Sequence, residues 1–147
     1  MNKLSIIKIL GMMLLIFSLS FIPPIITAFV LKEAVMMPLL ESGLIVFITG
    51  VIMYSVMPIH KIELCRTDGF LIVILVWVII SLFGIIPFVL MDTPLTFVDA
   101  LFESVSGITT TGVSVMGDLQ RQTYAIQLYH QLLQTLPWLL FSYYDVQ

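Results

Sequence analysis

Apolar residues run almost without interruption over 5–31, 38–57 and 69–90, and the polar positions gather between these runs. Each run reaches the roughly 20 residues that an α-helix needs to cross a hydrocarbon core about 30 Å thick, so each predicts a membrane-spanning helix. The separators are short: Lys32 and Glu33 after the first run, and His60, Lys61, Glu63, Arg66 and Asp68 after the second. They predict helix ends emerging into water. Pro23, Pro24 and Pro87 predict a kink or an end in their helices, because proline lacks a backbone donor and clashes with the preceding turn. Gly11, Gly43, Gly50 and Gly84 are predicted to let neighbouring helices approach closely. The first run is too long for the apolar part of a secretory signal and lacks a small-x-small cleavage site, which favours a first span over a leader.

Beyond residue 90 the pattern changes. Residues 95–107 are too few and too polar to span, and they carry Asp99 and Glu103. They predict a re-entrant segment that dips into the membrane and returns. Thr96 followed by Asp99 has the spacing of a hydroxyl N-cap with an acid three residues on, which places a helix start near Thr96. The helix is expected to give way at Gly107, with the chain climbing back through 108–115. Non-helical backbone at that depth is tolerated only where protein buries it or water lines it. Thr109, Thr110, Thr111 and Gly112 suit a water-lined path, since extended residues can turn carbonyls toward a cation and glycine adopts backbone angles closed to other residues. The alternative is a hydrophilic loop whose threonines satisfy local hydrogen bonds. Asp99 and Glu103, four apart, share one helix face. Anchoring the loop is the role expected of Glu103, whereas Asp99 suits either anchoring or attracting cations.

Composition sharpens this picture. Sixty per cent of residues are hydrophobic and ten per cent charged, with a mean hydropathy of +1.13, whereas roughly a quarter of residues are charged in soluble domains. The fold class is therefore an all-α membrane protein: transmembrane helices with one re-entrant pore helix and an extended filter loop. A net charge of −3 without a basic run gives no footing for nucleic acid. The single cysteine, Cys65, has no partner within the chain, and no zinc-ligand spacing occurs. Lys3, Lys8, Lys61 and Arg66 fall on one side of the predicted spans, against Lys32 and Arg121 on the other, which places the N-terminus in the cytoplasm. His60 and His130 stand far apart without a nucleophile motif, so no enzyme is expected; His60 reads as a loop residue and His130 as a helix-face residue near the outer boundary.

A family resemblance rests on Gly69-Phe70-Leu71-Ile72-Val73 opening the third run, Pro87-Phe88 near its end, and Asp99-Ala100-Leu101-Phe102-Glu103-Ser104 leading into Ser106-Gly107-Ile108-Thr109-Thr110-Thr111-Gly112. Over residues 1–134 the chain resembles the membrane subunit of Trk-type potassium uptake systems, in the Trk/Ktr/HKT cation transporter superfamily. Such subunits have four fused helix, pore loop, helix units preceded by two extra helices. The resemblance implies that 1–60 are the two extra helices and that 69–134 are most of the first unit. It implies that the backbone carbonyls of Thr110, Thr111 and Gly112 coordinate potassium, flanked by Thr109 and Val113. It also implies a cell inner membrane location, a cytosolic nucleotide-binding regulatory subunit as partner, and no cofactor beyond the transported ion.

Residues 135–147 depart from the family pattern and are expected to be a divergent tail produced by a frameshift, which re-sequencing the locus would test. One pore loop supplies a quarter of a fourfold carbonyl ring. The 147 residues alone are therefore expected to transport little or nothing, unless copies assemble as a homo-oligomer. The competing function is a small structural or regulatory membrane protein that packs against a larger transporter.

Overall fold

The computed structural model describes residues 3–55, 66–91, 95–116 and 123–144. Within them the chain is helical: α1 (Lys3–Leu19), α2 (Ile22–Leu31), α3 (Met36–Ser55), α4 (Arg66–Gly84), α5 (Ile86–Leu90), α6 (Phe97–Ile108) and α7 (Tyr124–Tyr144). His60, Lys61, Glu63, Cys65, Arg121 and the chain's last three residues lie outside the described residues.

Three helical segments are long and apolar enough to cross a membrane: Ser5–Leu31, Met36–Ser55 and Gly69–Leu90. The first and third coincide with the predicted runs, and the second is shifted toward the N-terminus by two residues. Both proline sites interrupt their span as the sequence predicts. The breaks fall just before the prolines, which sit in the first turn of α2 and of α5. There a missing N–H costs nothing, because first-turn donors have no intrahelical acceptor. Pro137, by contrast, lies inside α7.

Freed backbone groups find partners nearby. At the first break Ser18 and Ser20 donate to the carbonyls of Leu15 and Phe17 at 2.7 and 2.6 Å. At the second, the Phe88 N–H bonds to Ile85 O at 3.0 Å instead of the carbonyl four residues back. The Tyr129 hydroxyl of α7 donates to the Gly84 carbonyl thus released, at 3.2 Å. Ser42, Thr49 and Ser81 likewise donate to carbonyls one turn back, so these hydroxyls find acceptors within their own span.

The core sits where α1 and α2 meet, against α5 and α7. Tyr129, Phe17, Phe21 and Phe88 are all fully buried there, with Phe21 and Phe88 ring centroids 5.0 and 5.5 Å from that of Tyr129. Helix α1 lies along α3, α6 is wedged between α4 and α7, and α2 leans on α7. Small residues set these approaches. A Cβ on Gly11 would stand 2.7 Å from the Tyr54 backbone nitrogen, and one on Gly107 would stand 3.0 Å from Leu133 Cβ. Outward faces are apolar, with Phe29, Val30 and Phe70 among the most exposed.

The turn between α2 and α3 reaches across the molecule. Lys32 closes α2 in the left-handed region at φ 54°, and the Glu33 N–H bonds to Ala28 O at 2.9 Å. The Glu33 carboxylate then accepts the Tyr124 and Ala125 amides at 2.9 and 3.0 Å, capping the start of α7. A carboxylate at a helix N-terminus satisfies orphan donors and faces the positive end of the helix dipole.

Candidate functional site: the loop after α6

Helix α6 begins where the Thr96–Asp99 spacing puts it. The Asp99 N–H donates to Thr96 Oγ1 at 3.2 Å and that hydroxyl donates to Asp99 Oδ2 at 2.6 Å. The end differs from expectation. Gly107 remains helical, and the chain turns at Thr110, which takes a left-handed φ of 57°. Two backbone bonds close this end: Thr110 N–H to Gly107 O and Thr111 N–H to Ser106 O, both 3.0 Å. This pairing normally places glycine at the left-handed position. Threonine there carries a steric penalty of about 1–2 kcal/mol, and strain of this kind concentrates at functional segments.

Gly112 also has a positive φ, 71°. Residues 109–113 are exposed, and the sequence-predicted trio Thr110, Thr111 and Gly112 lies within this one open stretch. Two threonine hydroxyls are engaged locally, as the loop alternative allows. Thr109 Oγ1 donates to Val105 O at 2.8 Å and lies 2.8 Å from Thr111 Oγ1.

The returning limb is tied to α6 at two points. Ser106 Oγ donates to the Val113 carbonyl at 2.5 Å, and the Val115 N–H donates to Glu103 Oε2 at 3.0 Å. Glu103 is fully buried, so it anchors the loop, whereas Asp99 is half-buried and occupied with its own N-cap.

His130 lies on a face of α7 that is turned inward: it is only 4 % exposed, with Nδ1 3.1 Å from Glu103 Oε1. That approach lies off the hydrogen-bond axis, and among the described residues neither atom has a hydrogen-bonding partner. His130 Nε2 meets Gln134 Nε2 at 3.1 Å. Gln134 in turn backs the loop, its amide nitrogen 3.7 Å from where a Gly112 Cβ would be. Sequence reasoning missed His130 and Ser106. The three-residue spacing of Glu103 and Ser106 could have flagged Ser106; nothing in the chain links His130 to residue 103. Among the described residues no group of three or more His, Cys, Asp or Glu side chains is placed to hold a metal ion.

The chain is similar to known cation transport proteins. A family profile described as a cation transport protein, TrkH, matches residues 37–141. The chain is 36 % identical over 131 residues to the Trk system potassium uptake protein TrkH of Vibrio parahaemolyticus, covering 88 % of this chain and 27 % of that protein. It is 36 % identical over 110 residues to the TrkG protein of Escherichia coli, covering 74 % and 23 %. The crystal structure of the Vibrio parahaemolyticus potassium transporter TrkH superposes with a TM-score of 0.85 at 35 % identity, covering 91 % of this chain and 29 % of that one. The chain thus spans under a third of the length of the relatives it matches.

Proposed function

This chain belongs to the TrkH family of cation transport proteins, and we propose that it forms part of the membrane subunit of a Trk-type potassium uptake system. In this reading α6 is a re-entrant pore helix and residues 109–113 are one strand of a selectivity filter. The observation that carries it is the loop's backbone. Positive φ at Thr110 and Gly112, with Thr111 between them at negative φ, turns successive peptide planes over. Neighbouring carbonyls can then face the same side, as a cation path requires, instead of alternating as in a strand. The carbonyls of Thr110, Thr111 and Gly112 are the proposed potassium ligands, replacing water oxygens. The negative end of the α6 dipole adds to cation stabilisation there.

Residues 1–60 are the proposed pair of preceding helices, and 69–134 the first pore unit. The proposed setting is the cell inner membrane with the N-terminus in the cytoplasm, supported by the cationic residues near the span ends. A cytosolic nucleotide-binding subunit is the proposed regulatory partner. A single loop lines one side of a path that needs a ring of carbonyls, so these 147 residues alone are proposed to conduct little or no potassium.

The test is rubidium uptake in a strain lacking potassium uptake. The Vibrio parahaemolyticus relative, with its matching segment replaced by residues 97–116 of this chain, is expected to restore uptake, while the 147-residue chain alone stays at background. A graft that reaches the membrane in normal amount but carries no rubidium would overturn the reading.

A further inference from the structure

The Glu103–His130 pair lies behind the loop, on the side away from its exposed residues, and the proposed permeation reaction leaves it without a task. Three side chains from two helices line up there. Gln134 and His130, one turn apart on α7, meet at 3.1 Å. His130 Nδ1 faces Glu103 Oε1 at 3.1 Å, and the other carboxylate oxygen takes the Val115 N–H at 3.0 Å. The line starts against Gly112 and ends on Val115, so it touches both limbs of the turn at residues 112–115.

Donor bookkeeping fixes its direction. A carboxylate only accepts, and the Gln134 amide nitrogen only donates. His130 Nε2 must then accept from Gln134, which leaves the ring proton on Nδ1, facing Glu103. The Nδ1–H then faces Oε1 at 3.1 Å as an off-axis electrostatic contact, beside the Val115 hydrogen bond on the other oxygen. Burial makes it matter, because a buried carboxylate with one oxygen unmet is costly.

We propose that His130 is a positioning residue for the filter loop: held by Gln134 in its Nδ1–H form, it fixes the Glu103 carboxylate, which holds the Val113–Val115 limb through the Val115 amide. The inference rests on the pore reading for its consequence to transport, but its geometry is tested without transport. His130→Asn keeps an amide nitrogen near the Nδ1 position, and His130→Leu keeps bulk without a donor.

The experiment is nitrogen-15 magnetic resonance of the 147-residue chain in lipid micelles, with amide exchange read at Val115. His60 is the chain's other histidine, and comparison with His130→Asn assigns the two rings. The expected result is a His130 ring protonated on Nδ1, and a Val115 amide that exchanges roughly tenfold or more faster in His130→Leu. His130→Asn restores the slow exchange, while helical amides in α4 keep theirs in both variants. A ring protonated on Nε2, or a Val115 amide equally protected in His130→Leu, would overturn the proposal. If α4 loses protection in His130→Leu, the comparison passes to Gln134→Leu, which removes the donor that holds the tautomer: the His130 proton is then expected on Nε2 as well and the Val115 amide to exchange faster, and an unchanged ring and amide overturn the proposal equally. A graft that passes no rubidium while these signatures hold would count against the pore reading alone.

Discussion

Thr110 holds a left-handed backbone that glycine would adopt without penalty. Thr110→Gly is therefore expected to raise thermal stability in detergent by about 1 kcal/mol, with uptake by the grafted subunit lowered because the turn loses its side-chain restriction. A stability unchanged or reduced would show that the turn is not strained. Glu103 works in the opposite sense. Glu103→Ala leaves the Val115 amide without its acceptor and His130 Nδ1 without the carboxylate it faces, and is expected to cost about 1–3 kcal/mol in thermal unfolding. The Thr-Thr-Thr-Gly run and the anchoring acid were legible in the sequence because both are local patterns. The sequence places the end of the helix at Gly107, whereas it runs to Ile108 and the chain turns at Thr110. Gly107 is instead needed for its missing side chain, pressed against Leu133.

At the scale of elements, close approach and capping decide how the helices meet. Helix α1 packs on α3 through Gly11, where an added Cβ would strike the Tyr54 backbone, which cannot rotate away. Gly11→Val is expected to destabilise the pair by about 1–3 kcal/mol, seen as an earlier thermal transition. Glu33 joins the α2–α3 turn to the first amides of α7. Glu33→Ala is expected to cost about 1 kcal/mol and to speed amide exchange at Tyr124 and Ala125, leaving α4 unchanged. Span lengths and proline breaks could be read from the sequence, because length, hydropathy and a missing N–H act within one segment. The Glu33 cap could not: its partners lie 91 and 92 residues away. The Tyr129 bond to Gly84 depends in the same way on a carbonyl that only the folded break sets free.

On the scale of the whole molecule, three apolar segments and a short amphipathic helix hold one strained, open loop against a buried polar line. The outward faces of α2 and α4 remain apolar, as lipid or neighbouring transmembrane helices require. Among the described residues no backbone N–H outside the helices donates to the carbonyls of Thr109, Thr110, Thr111 or Gly112 on the loop's open face. The central question is whether that backbone serves the ion. Its most direct measurement is rubidium uptake by the relative carrying residues 97–116 of this chain, compared with the same graft bearing Gly112→Val. A β-branched residue is strained at the φ of 71° at that position, so the predicted result is loss of uptake at unchanged membrane abundance. Uptake equal to that of the unsubstituted graft would contradict it.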